Sequence, residues 1–328
     1  VKSERLNVKS VVIVNLKITD LTSHFSFSKN MIARIRQKLK KLPNKREGIL
    51  TSIDYKKTRY KVLYLAMFLM LLAMVFITFF PIFWLLMTSF MTDTEIGSLP
   101  VRLFPESLNF AHIADTWNTA RLGMPFLNSL MIVGGAVLVS VVFNGILGFV
   151  LAVIKPKGGK IIFGAIMVGY MIPPITGMVP LFDALTRMGL TDNPLPLMLI
   201  FGANAFYLVM FKNYMESLPK AIFEAAEVDG AGMFRVFFRI VIPLSWPIIG
   251  VIAIFTATAA WNDFLLPFLL LQDSNRMTVM VRLVEIQANQ YSASVLYMSL
   301  LIATVPLILL FLIFQRRITS TVTTSGIK

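Results

Sequence analysis

The sequence contains no cysteine, two histidines and 17 acidic residues in 328. Without cysteine there is no disulfide framework and no thiolate metal site. His24 and His112 lie far apart and form neither an HExxH element nor a close pair, which argues against a metal centre. A phosphate-cradling G-x-x-x-x-G-K-[ST] loop is missing as well. Gly158-Gly159-Lys160 has the lysine but lacks the glycine spacing and the following hydroxyl. If ATP powers this protein, ATP and magnesium are therefore held by another chain, and this one binds no cofactor. No nucleophile, base and orienting group fall together, so nothing supports an enzyme. Internal repeats and low-complexity tracts are absent, and Val11–Leu16 is too short to be the core of a secretory signal.

Charge is scarce too. Charged residues make up 15% of the chain and apolar ones 56%, against about 25% and 45–50% in soluble domains. The surplus is gathered into uncharged runs long enough to cross a bilayer core, which takes about 20 residues at 1.5 Å each. The runs are Val62–Phe90, Leu122–Ile154, Ile161–Phe182, Asn193–Phe211, Ile240–Asn262 (resuming after Asp263 to Gln272) and Ile286–Gln315. The expected fold is all-α and polytopic, with six transmembrane helices. Pro81, Pro173, Pro174, Pro180, Pro247, Pro267 and Pro306 fall inside these runs. They mark either simple kinks or broken helices that line a pathway.

The basic residues set the orientation. Residues 1–61 hold 16 of the 31 lysines and arginines. Others cluster at 155–160, at 212–239 and in the C-terminal tail, leaving Arg102, Arg121, Arg187, Arg276 and Arg282 on the opposite side. Basic residues near spans stay cytoplasmic, so both termini are expected inside a bacterial plasma membrane. The net charge of +14 is then mainly a topology signal rather than a sign of nucleic-acid binding. The organisation expected is a basic cytoplasmic extension at 1–61, a membrane domain at 62–315 and a cytoplasmic tail at 316–328. In the extension, Met31, Ile35, Leu39 and Leu42 recur at helical spacing among Arg34, Arg36, Lys38, Lys40 and Lys41. That strip suits an anionic leaflet, although a solvated basic tail reads equally well. Met31 is also an alternative start.

The stretch 212–242 carries the function. Pro219 suits the first turn of a helix, and Glu224-Ala225-Ala226 lie within that helix. Asp229-Gly230-Ala231 then forms a turn that ends it. Phe234, Phe237 and Phe238 alternate with Arg235 and Arg239 in a second short helix before Pro243. Small residues let a partner approach the backbone, as a helix-in-groove contact requires.

This stretch resembles the signature loop of binding-protein-dependent ABC importer permeases. Glu224, Ala225, Ala226, Gly230, Ile240 and Pro243 stand at that family's spacing, with Ile242 where leucine is usual. Several segments resemble the sugar-importer branch, and within it the maltose-G-type subunit. They are Phe126–Leu130, Leu151–Lys160, Trp261–Phe264, Gln315–Arg317 and Thr324–Lys328. The long basic N-terminus departs from the pattern. The resemblance implies a type I importer permease fold with a cytoplasmic coupling helix. It implies a second permease subunit, two ATP-hydrolysing subunits and an external solute-binding protein. It further implies that Glu224, Ala225, Ala226, Asp229, Gly230, Ala231 and Pro243 couple to the ATPase, and that a carbohydrate is the solute. Trp261 would stack on a sugar face, with Asn262, Asp263 and Asn204 as hydrogen-bonding groups. The alternative is a belt tryptophan whose polar neighbours cap the helix end. An importer of a non-sugar solute and an ion-coupled transporter remain as rival readings. The latter is opposed by the scarcity of ionisable groups in the spans, where only Asp263 is near one.

Overall fold

The computed structural model describes the backbone of residues 58–325 and the side chains of 61–315. The Met31–Leu42 strip and the final residues 326–328 lie outside the described residues. The chain divides into two compact units, 1–75 and 76–328, and the division falls within the first described helix. Every later helix belongs to the second unit.

Every element among the described residues is helical. α1 (Thr58–Thr88) keeps Pro81 inside a continuous helix. α2 (Asp93–Ile96) and α3 (Ala111–Thr119) follow it. α4 (Gly123–Ile154) is the longest uninterrupted span, widened by π-turns at Ser140–Asn144 and Val150–Ile154. Next come α5 (Gly159–Tyr170), α6 (Met178–Arg187), α7 (Pro194–Gly202) and α8 (Ala205–Glu216). α9 (Lys220–Val228) and α10 (Met233–Leu244) form the elbow. α11 (Trp246–Asn262), α12 (Leu265–Leu270), α13 (Val279–Ala288) and α14 (Ala293–Ser325) complete the fold.

Three of these helices are long and apolar enough to cross a membrane alone: Lys61–Thr88 in α1, α4, and Ala293–Gln315 in α14. Three more crossings arise if each bent pair is one span. α5 and α6 meet at 89°, α7 and α8 at 44°, α10 and α11 at 77°. Each bend has a local cause. Pro173-Pro174 removes two backbone donors and holds Pro173 extended (ψ 129°), ending α5. Asn204 is extended and accepts from the Phe206 amide through its own side chain, starting α8 afresh. Ser245 lies between Pro243 and Pro247, which sit in the first turns of consecutive helical pieces.

Four of the uncharged runs are thereby corrected, since none of them is a single straight helix. The run 161–182 breaks at Pro173-Pro174, and the run 193–211 breaks at Asn204. The run beginning at Ile240 is not one straight helix, because α10 turns away at Ser245 and the straight span is α11. The run from Ile286 is interrupted at Asn289–Ser292, so α13 is a separate short helix and the last span begins at Ala293.

The segments around the five isolated arginines are tied together by hydrogen bonds between side chains and backbone. Asp192, itself at φ 55°, accepts from the amides of Gln272 (2.6 Å) and Asp273 (2.7 Å). Asn128 donates to the Asn275 and Met277 carbonyls, and Ser129 accepts from the Val279 amide. Arg282 is buried; it donates to the Ala120 carbonyl (2.8 Å) and pairs with Glu285 (2.5 Å). Glu95 closes a capping box with Thr92 and also accepts from the Glu106 amide. The Thr92 amide, then that of Glu106, holds the Glu95 carboxyl below its ordinary range.

Candidate functional site

The elbow is built on a helix stop that the local sequence dictates. Pro219 is the residue preceding α9 rather than its first turn, with ψ 127°. At the other end, the Ala231 amide donates to the Ala226 carbonyl (2.9 Å) and the Gly230 amide to the Glu227 carbonyl (3.0 Å). These paired bonds form a Schellman motif, which needs a left-handed residue at the position after the cap. Gly230 supplies it at φ 67°. An added Cβ there would meet no atom of the described residues within 4 Å beyond its immediate chain neighbours. The space around Gly230 is open.

Helical rotation then sorts the signature residues. Ala226 is 5% exposed and packs in a core with Phe149, Phe211, Met215, Phe237 and Val241. Phe223 and Ala231 pack against the same core. Lys220, Ala221, Glu224, Ala225, Glu227, Val228 and Asp229 are exposed on the other face, and Pro243 is exposed at the far end of α10. The expectation that both alanines admit a partner is therefore corrected. Ala225 faces outward, whereas Ala226 is small because α9 lies against the membrane helices. Val228 carries no sequence signal of its own. It is 88% exposed, an apolar tip beside three carboxylates.

The same core makes the elbow continuous with the spans. Phe149 of α4 packs on Phe237 of α10 at 5.3 Å between centroids, and the Tyr214 hydroxyl of α8 donates to the Leu244 carbonyl (2.8 Å). A displacement of α9 is thus resisted by α4, α8 and α11 together. Burial of aromatic rings contributes about 2–3 kcal/mol each to that resistance.

A second site lies where two spans are broken. α5 and α8 each have 12 residues, which is about 18 Å of helix. Each therefore reaches its break at similar depth, near the centre of a core about 30 Å thick. Tyr170–Pro174 and Ala203–Ala205 surround a cavity of about 510 Å³ there. Non-helical backbone at that depth persists only where protein or a water-filled cavity satisfies it. Here protein groups satisfy part of it. The Gly202 carbonyl, where α7 ends, accepts from the Asn204 amide (3.0 Å) and from Asn144 Nδ2 (2.8 Å), which also bonds the Ser140 carbonyl. Thr256 and Ser140 hydroxyls meet at 3.2 Å beside it. Gly202 has no space for a side chain, since a Cβ would come within 2.7 Å of the Ala136 carbonyl oxygen. Asn144 is a buried hydrogen-bonding residue that sequence reasoning missed, though an amide inside the apolar run Leu122–Ile154 was a usable signal.

Of the residues expected along a pathway, Asn204 lines this cavity, whereas Trp261, Asn262 and Asp263 do not. Trp261 is 3% exposed; its indole N–H donates to the Ala303 carbonyl (3.1 Å), and its ring meets Phe126 edge-on at 5.6 Å. It is neither a free stacking platform nor a belt residue but a core residue joining α4, α11 and α14. Asp263 caps α12 by accepting from the Leu266 amide, and Asn262 is exposed, donating to the Thr258 carbonyl.

A profile of the family described as "Binding-protein-dependent transport system inner membrane component" matches residues 144–324. The diacetylchitobiose uptake system permease protein NgcG of Streptomyces coelicolor is 33% identical over 247 residues, 74% of this chain and 82% of its own. The melibiose/raffinose/stachyose import permease protein MelC of Bacillus subtilis is 30% identical over 256 residues, 76% of this chain and 91% of its own. The fold is similar to a chain in the crystal structure of a bacterial ABC transporter involved in the import of the acidic polysaccharide alginate. The TM-score is 0.72 at 20% identity, covering 79% of this chain and 98% of that one.

Proposed function

The chain belongs to the family of binding-protein-dependent transport system inner membrane components, and from that premise we propose that it lines half of the solute pathway of an ATP-driven carbohydrate importer. It is a multi-pass transport subunit, not an enzyme. The observation that carries the mechanism is the Schellman-capped α9, exposed on one face and packed on the other against three spans. In the proposed cycle, two ATPase subunits bind ATP and magnesium, and one of them grips the face of Glu224, Ala225, Glu227, Val228 and Gly230. Their closure moves α9 and α10 as one piece with α4, α8 and α11. A second permease subunit completes the pathway, and a solute-binding protein delivers the cargo on the opposite side. An oligosaccharide is favoured as that cargo because two relatives, 33% and 30% identical, are named for diacetylchitobiose and for melibiose, raffinose and stachyose. The open cavity at the two helix breaks, with Tyr170 and Asn204 on its wall, is a suitable passage.

The reading is tested by reconstituting the complex and measuring ATPase rate with binding protein carrying different oligosaccharides. Stimulation by a loaded oligosaccharide and not by amino acids or phosphate is expected. Uptake that collapses with the proton gradient at constant ATP would instead favour an ion-coupled carrier.

The proposed orientation puts Lys157 and both termini in the cytoplasm and residues 92–121 outside. The described residues contain no cysteine, and neither does the full sequence, so single cysteines can be introduced without background. A cysteine at 157 should resist an impermeant thiol reagent in intact cells while one at 108 reacts. Labelling at 157 from outside overturns the orientation.

A further inference from the structure

A cavity of about 760 Å³ lies where α4 ends, α5 begins and α8 approaches its C-terminus. Lys155, Lys160 and Lys212 line it together with Glu216, Leu151, Ile161 and Phe163. Glu216 is already engaged by Lys212 at 2.8 Å, and that ammonium also lies 5.1 Å from the Phe163 ring centre. Lys155 and Lys160 have no acidic partner among the described residues. The cavity therefore carries two uncompensated positive charges. Lys155 is also held at φ 51°, its amide donating to the Val150 carbonyl (2.9 Å). A left-handed lysine is uncommon and persists where the surroundings enforce it. Beside the charges the wall is apolar, and Ile161 is 78% exposed at the start of a membrane helix.

We propose that this cavity binds the headgroup of one anionic phospholipid, its phosphate between Lys155 and Lys160 and an acyl chain running along Ile161. Basic pockets between spans at the membrane surface select such headgroups. A free anion would use the lysines but not the apolar wall, and a zwitterionic lipid would leave the excess charge unmatched. The inference rests on the membrane reading of the chain but not on its cargo or sidedness.

The test uses the assembled complex in neutral detergent, with lipid adducts read by native mass spectrometry. Phosphatidylglycerol, phosphatidylcholine of matched chains and inorganic phosphate are the probes. Phosphatidylglycerol should be retained as one tight adduct. Lys155→Gln and Lys160→Gln should each weaken it about fivefold, the factor that about 1 kcal/mol per lysine corresponds to. Lys157→Gln, on the same loop but outside the cavity wall, should leave it unchanged. The proposal is overturned if phosphatidylcholine or inorganic phosphate binds as tightly, if the Lys155 and Lys160 variants retain the adduct, or if Lys157→Gln weakens it equally. None of these readouts depends on transport, so failure here leaves the importer reading untouched.

Discussion

Gly230→Asp is expected to abolish uptake while the permease still reaches the membrane and pairs with its partner. The left-handed turn itself does not demand so large an effect. Forcing a non-glycine residue to φ 67° costs about 1–2 kcal/mol, and aspartate and asparagine tolerate that region better than most. Nor do the other described residues object, since a Cβ at 230 meets none of them within 4 Å. A complete block must then come from whatever docks on the open face. Gly230→Asn separates the two causes. It suits the left-handed turn without adding charge, yet places the same bulk in the contact, and it should fail nearly as badly as Gly230→Asp. Glu224→Ala should reduce uptake only partially, because an exposed ion pair contributes about 0–1 kcal/mol. The measurements are uptake together with co-purification of the ATPase subunits. Normal uptake by Gly230→Asp with the ATPase retained would remove α9 as the coupling element.

Trp261→Ala should lower the thermal stability of the purified complex sharply rather than impair solute handling alone. The side chain fills a space bounded by Phe126, Val279, Leu283 and Ala303, and truncating a buried tryptophan costs about 3–5 kcal/mol. Trp261→Phe keeps most of the packing and loses the bond to the Ala303 carbonyl, about 1 kcal/mol, so it should be intermediate. The contrasting variant is Tyr170→Ala. Tyr170 is 54% exposed and lines the cavity at the helix breaks; its loss should leave the melting temperature near wild type and reduce uptake. Were Trp261→Ala to melt like wild type while solute-stimulated ATPase fell, a solute-stacking role would be restored.

Local sequence determined the elbow. Pro219 and Gly230 act through their own backbone constraints, so the limits of α9 follow from residues within a dozen positions of one another. The apolar runs likewise mark a chain with several segments apolar enough to cross a membrane, because transfer of a segment into lipid is a sum over its residues. Which way each side chain faces is another matter. Ala225 and Ala226 are chemically identical neighbours, and only the packing of α9 on Phe149, Phe211 and Phe237 decides that one is buried and one free. Trp261 reads the same in sequence whether it meets solute, headgroups or core; its place was decided by Phe126 and Ala303, 135 and 42 positions away. The cavity at mid-depth is equally invisible locally. It exists because two helices of equal length, α5 and α8, are broken off there, and because Asn144 of α4 bonds the Gly202 carbonyl at the end of α7. Steric limits on a backbone act between adjacent residues, but burial and hydrogen-bond satisfaction are properties of whatever tertiary packing brings alongside.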